Sequence, residues 1–429
     1  MSEHQRSLGI VTPPGYPKEL SQTINKQLPE MLKYYVKDDC EWQVETLIDP
    51  LTGVTEDPEE VFEAGLKKRD EENWDYIVCL TDLPFFHDRK PIMAEASTND
   101  GVAIITLPGL GSTPMLKRVR QSILQLVNEM YYGSDEEDRE KAQERLQSQE
   151  DGEHENLKKK GSRRLVEKRG IDRFSPIKRV TPDEDDDTYM DVRFIVQSRI
   201  SGALRVLTGM VRANRPWAIF PAFMKVIIFA FATGSYALVF PTLWRLSNNY
   251  SSWRMLLLTV LSISLMVGWI ILAHNLWEKP REDRAPYLRK LYNMTTLLTL
   301  GVTVVIYYSI LFVMFSAAVL VFIPMGLLES EVSGAVGYDN YFYIAWTATS
   351  ISIIIGALGS ALENEEVVLS STYGYRQQQR YKTANEEEQD ETKKAQQDET
   401  KKQREKNDKQ EVSPEKKRPS NDDQEKAAQ

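Results

Sequence analysis

The chain has 429 residues, 27% of them charged, and a formal net charge of −10. Its two cysteines, Cys40 and Cys79, cannot build a disulfide framework, and the acidic balance argues against general nucleic-acid binding. A mean hydropathy of −0.42 would describe a soluble protein, but apolar residues concentrate between Trp217 and Leu362 while both flanks are rich in Lys, Glu, Asp and Gln.

The first residues, "MSEHQRSLGIVTPPG", contain no apolar core of a secretory signal, so the N-terminal segment is expected to stay in the cytoplasm. From Leu8 to Gly133 strand-like and helix-like periodicities alternate. "LGIVTPPG" reads as a strand and turn, Pro17–Val36 as a helix, and "EWQVETLID" as a strand. Asp57-Pro58 is an N-cap followed by proline at the first helical position, opening a helix to about Trp74. "DYIVCLTDLP", which holds Cys79 as a core residue, "KPIMAEAST" and "GVAIITLPG" are further strands. Thr113-Pro114 then caps a helix whose apolar face is Leu116, Val119, Ile123, Leu126, Val127 and Met130. This order predicts an α/β domain over 1–133 around a mostly parallel sheet.

Ligands of such sheets bind at the carboxyl ends of the strands. Those ends are Thr12-Pro-Pro-Gly15, Asp49, Thr81-Asp82 and Gly109–Ser112, the last preceding a helix N-terminus that attracts anions. The candidate ligand-binding residues are therefore Thr12, Asp82, Glu95, Gly109, Gly111 and Ser112. Neither a GxGxxG nor a Walker motif is present. The simpler reading of "GLGST" is a tight strand-to-helix turn, and that of Asp82 is a residue fixing the turn before Pro84. No cofactor and no metal are expected.

The stretch "VCLTDLPFF…PIMAEASTNDGVAIITLPGLG", followed by a helix, resembles the segment that precedes the zinc helix of archaemetzincin-type proteins. Those continue with HExxH, in which two histidines one turn apart hold zinc. Here the helix reads "MLKRVRQSILQLVNEM", and His4, His87, His154 and His274 are scattered. The resemblance thus implies a fold without its metal chemistry.

Residues 134–190 carry opposed charge blocks, "SDEEDREKAQERLQSQEDGE", "LKKKGSRRLVEKRG" and "TPDEDDDTYMDV", and are expected to be a disordered, solvated linker. Residues 191–215 mix apolar side chains with Arg199, Arg205, Arg212 and Arg215. They read as an amphipathic helix on the inner membrane surface, packing on the N-terminal domain being the alternative.

Between 216 and 363 four segments reach the length of about 20 apolar residues that a bilayer core requires. They are Val226–Trp244, Met255–Ala273, a run within Met294–Leu328, and Tyr341–Leu362. The third exceeds one crossing but lacks a polar reversal, so it reads as one tilted helix. The loop "HNLWEKPREDRAPYLRKLYN" carries Lys279, Arg281, Arg284, Arg289 and Lys290, whereas "ESEVSGAVGYDN" carries no cation. Basic loops stay inside, which predicts a multi-pass plasma-membrane protein with both termini cytoplasmic. Trp217 and Trp277 fit the inner interface, and Trp244, Trp253 and Tyr338 the outer one. No charge falls at mid-membrane: Lys225, His274 and Glu363 lie near inner boundaries. The pairs Gly356/Ser360 and Ala230/Gly234 suit close helix packing. Residues 364–429, with "QDETKK" twice, are expected to be a disordered cytoplasmic tail.

Taken in order, "TPPG", "DPLTG", "DYIVCLTDLP", "RVTPDEDD", "GMVRANRPW", "HNLWE" and "YGYR" resemble a bacterial family of uncharacterised four-span membrane proteins, common in actinobacteria and found in other Gram-positive relatives, over about Leu8 to Arg376. Some members are labelled methylenetetrahydrofolate dehydrogenase, but no residues here support folate or nicotinamide chemistry. The fold expected is an α/β cytoplasmic domain, a four-helix transmembrane bundle, and a disordered linker and tail. The partners expected are the lipid bilayer, a cytoplasmic protein or small-molecule ligand, and further copies of the chain, with no nucleic acid. The function expected is a membrane-anchored ligand- or partner-binding module. The alternatives are an enzyme acting at the strand ends and a small transporter.

Overall fold

The computed structural model describes residues 5–37, 40–112, 114–133, 176–181, 189–219, 224–280, 285–332, 335–359, 375–377 and 379–383. The head contains β1 (Gln5–Thr12), α1 (Tyr16–Asn25), α2 (Leu28–Tyr35), β2 (Glu41–Ile48), α3 (Pro58–Glu72), β3 (Tyr76–Thr81), β4 (Phe85–His87), β5 (Lys90–Ser97), β6 (Val102–Thr106), α4 (Met115–Tyr132), β7 (Ile177–Val180), β8 (Val192–Val196) and α5 (Arg199–Asn214). The strands form one sheet in the order β2-β1-β3-β6-β5-β8-β7, with β4 paired to β5. The β2-β1-β3-β6 half is parallel; β5, β8 and β7 are antiparallel to their neighbours. The sheet is therefore mixed rather than mostly parallel.

Alternation along the strands builds two core layers. Leu8, Ile10, Val78, Leu80, Ala103 and Ile105 pack under α1, α2 and α4. Val11, Ile77, Cys79, Val102 and Ile104 pack on the opposite face, under α3 and α5. Asp57 caps α3 by accepting from the Glu59 amide at 3.0 Å, and Asn73, at φ 57°, ends it in the left-handed region. The single helix expected over Pro17–Val36 is two, because Pro29 suits the first turn of α2 and not a helix interior. Thr113, the expected cap of α4, lies outside the described residues.

Two expectations between 134 and 215 are corrected. β7 falls inside the expected linker, and β8 in the expected juxtamembrane helix; β8 is an interior strand, buried throughout. Its pattern is masked by two charged residues to which the sheet supplies partners. Asp191 accepts from the Thr98 amide and hydroxyl, both at 2.6 Å, and Arg193 pairs with Glu95. The remaining linker residues lie outside the described ones. The helix that follows, α5, lies on the head, with Val206 and Met210 in the core and Gly209 against the Pro108 backbone. Of its arginines Arg199 is exposed, Arg205 is 3% exposed, Arg212 stacks 4.4 Å from the Trp217 ring, and Arg215 pairs with Glu19 at 2.5 Å. Arg205, Arg212 and Arg215 thus contact protein groups, and the placement of α5 is the packing alternative.

The second half contains α6 (Pro216–Ile219), α7 (Met224–Ala237), α8 (Pro241–Asn248), α9 (Ser252–Ala273), α10 (Pro286–Phe322), α11 (Met325–Glu331) and α12 (Tyr338–Gly359). Among the described residues α9 and α10 are each long and apolar enough to cross a membrane, and α7 with α8 forms a third candidate span bent by 91°. The expected continuous span Val226–Trp244 is thus broken. Pro241 lacks the amide needed to continue the ladder, and the Trp244 indole turns inward to donate to the Leu238 carbonyl at 2.9 Å. Trp244 is 3% exposed, not an interfacial anchor, whereas Trp217, Trp253, Trp277 and Tyr338 are exposed.

α10 is one continuous helix of 37 residues, about 55 Å long against a hydrocarbon core of about 30 Å. Its excess length enters the head: Leu288 and Tyr292 join the layer beneath α3, and the Tyr292 hydroxyl donates to Glu56 at 2.7 Å. Ala230 faces Gly356, and Gly234 faces Ser352, so the small residues allow α7 and α12 to approach closely. Ser360 lies outside the described residues.

Candidate functional site

The parallel half has its topological switch between β1 and β3: the chain leaves β1 toward β2 on one side and reaches β3 and β6 on the other. In open α/β sheets such a point is where neighbouring strand ends diverge and a crevice forms. Thr12 ends β1 on one side of it, and Asp82 follows β3 on the other; both are fully buried. The Thr12 hydroxyl has no hydrogen-bond partner among the described residues.

The crevice holds two arginines from beyond the last apolar helix. Arg380, 6% exposed, donates from one terminal nitrogen to Asp82 Oδ1 at 2.6 Å and from the other to Oδ2 at 3.0 Å. The same nitrogens reach the Gly53 carbonyl at 3.3 Å and the Pro14 carbonyl at 2.8 Å. Arg376 lies 3.5 Å from Asp82 Oδ2 and donates to Asn214 Oδ1, and Gln377 donates to the Val54 carbonyl. Asn214 in turn donates to the Thr299 hydroxyl on α10 at 3.0 Å. Burial disfavours the Asp82 carboxylate, but the guanidiniums of Arg380 and Arg376 and the bonds from Arg380 outweigh it and hold the carboxyl below its ordinary range. Residues 375–377, 379 and 380 are helical, which corrects the expected disorder of 364–429 for this stretch; residues 364–374 and 384–429 lie outside the described ones.

The other sequence candidates do not join Asp82. Glu95 is on antiparallel β5, opposite Ile104, which itself pairs with Cys79. It therefore lies two strands, about 10 Å, across the sheet and about 10 Å back along it. It is fully buried, its Oε2 accepts from Arg193 Nε at 2.9 Å, and its Oε1 has no partner among the described residues. Burial pushes its carboxyl above the ordinary range, and one bond from Arg193 offsets only part of this. Gly109 and Gly111 form the tight turn, and α5 covers it: Arg205 Nε donates to the Gly109 carbonyl at 2.9 Å, and its side chain lies against Gly111, at φ 78°. Ser112 is exposed. Two carboxylates and an anion-binding turn are thus not assembled into one site. Among the described residues no three His, Cys, Asp or Glu side chains come together as metal ligands.

Sequence reasoning missed Arg376, Arg380 and Gly53. The available signal is the spacing of the two arginines in "YGYRQQQR", which puts them on one face of a helix. Their target lies 298 residues away in the chain, in the case of Arg380. Comparison with protein-family models, with curated proteins and with solved structures returns no match.

Proposed function

We propose that the chain is a multi-pass membrane protein whose cytoplasmic head is a binding module, with the ligand or partner entering at the β1–β3 switch point. The reading rests on the Asp82 crevice, a fully buried carboxylate where open α/β sheets take their ligands. Such a group costs folding energy unless a cation meets it, so this strand end is suited to holding a cationic group.

The membrane reading is supported by an inverted distribution of polarity. Leu256, Leu257, Val260, Leu265, Val313 and Val321 face outward, while Ser262, Thr347, Thr349, Ser350 and Ser352 are buried between helices. We take the bent α7–α8 pair, α9, α10 and α12 as four crossings; α12 has 22 residues and packs against α7, α9 and α10. Arg245 pairs with Glu331 at 2.6 Å, and Asn340 with Asn248 at 2.8 Å, which groups one set of loops. The Asn293 side chain accepts from the Glu278 amide at 2.8 Å beside the head, which groups the other end. These two groupings support our reading of an in-out-in-out-in path with the head and the 375–380 segment inside.

Two measurements test the reading. Reporters fused to either terminus should be accessible from the cytoplasm, and exposure of either outside would overturn the path. Affinity capture from solubilised membranes should recover a protein or metabolite with the wild-type chain and lose it with Asp82→Asn. Equal recovery by both would remove the crevice from the function.

A further inference from the structure

Among the described residues Arg380 donates to four acceptors: the two carboxylate oxygens of Asp82 and the carbonyls of Pro14 and Gly53, at 2.6–3.3 Å. The carboxylate takes two N–H bonds side by side, the paired geometry for which a planar guanidinium is shaped. The carbonyls then accept from the same two nitrogens, a second set of bonds fixed in direction. An ammonium is a point charge with three donors and cannot meet all four of these acceptors with two paired sets of bonds. The space is also cut to size. A Cβ on Gly53 would overlap the Arg380 guanidinium and come within 2.7 Å of the Pro13 Cβ. Thr12, buried at the end of β1 with no partner for its hydroxyl among the described residues, leaves one further polar group at this strand end.

We propose that the switch-point crevice is a guanidinium-recognition site that Arg380 fills in cis. Its exchangeable ligands are arginine-bearing peptides or small guanidino compounds, which enter when the 375–380 segment leaves. The proposal rests on the reading of the crevice as a binding site and adds the chemical class of its ligand. It also carries a consequence for the membrane half. Arg376 touches Asp82 and Asn214, and Asn214 touches Thr299, so departure of the segment removes a polar link between the crevice and α10. An incoming ligand would then compete with a tether and not only with solvent.

The test uses the full chain in detergent and a fluorescent peptide of residues 373–383. The peptide should bind the Arg376→Gln/Arg380→Gln variant at least tenfold more tightly than the wild type, whose own arginine holds the site. A peptide carrying Gln in place of Arg380 should fail to bind. Arginine amide should displace the bound peptide, and lysine amide at equal concentration should not. Equal binding to variant and wild type, binding to neither, or equal displacement by lysine amide would each overturn the proposal. Hydrogen exchange supplies the folding control. Protection of β1, β3 and β6 should survive in the variant, whereas its loss would make Arg380 a fixed support of the fold and overturn exchange. Capture of some other ligand at the crevice by the wild type, with no peptide effect, would keep the binding reading and remove the guanidinium specificity.

Discussion

The two halves of the head's sheet each bury one carboxylate completely and treat it differently. In the parallel half, Asp82 sits at a strand end and receives two bonds from Arg380 with Arg376 close by. In the antiparallel half, Glu95 sits in mid-strand and receives one bond from Arg193, leaving an oxygen without a partner among the described residues. The first carboxyl is held below its ordinary range and the second is pushed above it. Burial is nearly equal in the two cases, so the number and geometry of the cations decide the direction in which each carboxyl is shifted. The difference teaches that a strand end can gather groups from distant segments, whereas a mid-strand position reaches only what its register places opposite.

Removing the better-satisfied carboxylate should therefore do the greater damage. Asp82→Ala leaves two guanidiniums without their shared counter-charge, and we expect a loss of about 3–5 kcal/mol, read as a fall in the denaturant midpoint of the head. A loss below that of Glu95→Gln would break the comparison. Gly53→Ala should cost about 1–3 kcal/mol, because its new methyl group meets the Arg380 guanidinium and Pro13; Arg380→Ala in the same chain should recover part of this in thermal unfolding. Glu95→Gln should cost about 1 kcal/mol or less, since the amide oxygen can still accept from Arg193 Nε and the neutral side chain suits the site.

The smallest effects are in pH dependence, and they have opposite signs. The depressed Asp82 group contributes stability that is fully present above its unfolded value of about 4 and lost as pH falls through the lower folded value. The raised Glu95 group contributes stability that is full below about 4 and lost as pH rises through its folded value. Unfolding free energy followed from pH 3 to 7 should lose its acid limb in Asp82→Asn. The limb above about pH 4 should flatten in Glu95→Gln. Identical profiles for both variants would contradict the assignment.

Much of the head was legible because its strands and helices obey local rules. Short, nearly continuous apolar runs bounded by turn residues mark β1, β3 and β6, and the Asp57-Pro58 pair starts α3 where expected. β8 escaped because Arg193 and Asp191 look solvated until Glu95 and Thr98 are set beside them. Asp82 was identified as a strand-end candidate, but its occupant was not, since Arg380 lies in a stretch whose composition resembles the polar tail around it. α10 was readable as one helix because no polar reversal interrupts it. That its first turns enter the head, with Tyr292 on Glu56, was not.

By itself, then, the sequence determined most of the strands and helices before residue 133, the apolar second half and the position of Asp82, because propensity, periodicity and hydrophobic length act over a few turns of chain. The tertiary structure alone decided that β7 and β8 complete the sheet, that α5 covers the Gly109 turn, and that Arg376 and Arg380 close the switch-point crevice. Apart from the pairing of β7 with β8, those contacts join residues about 100 to 300 positions apart, where pairing is fixed by a buried charge or edge strand that must be satisfied and not by any pattern along the chain.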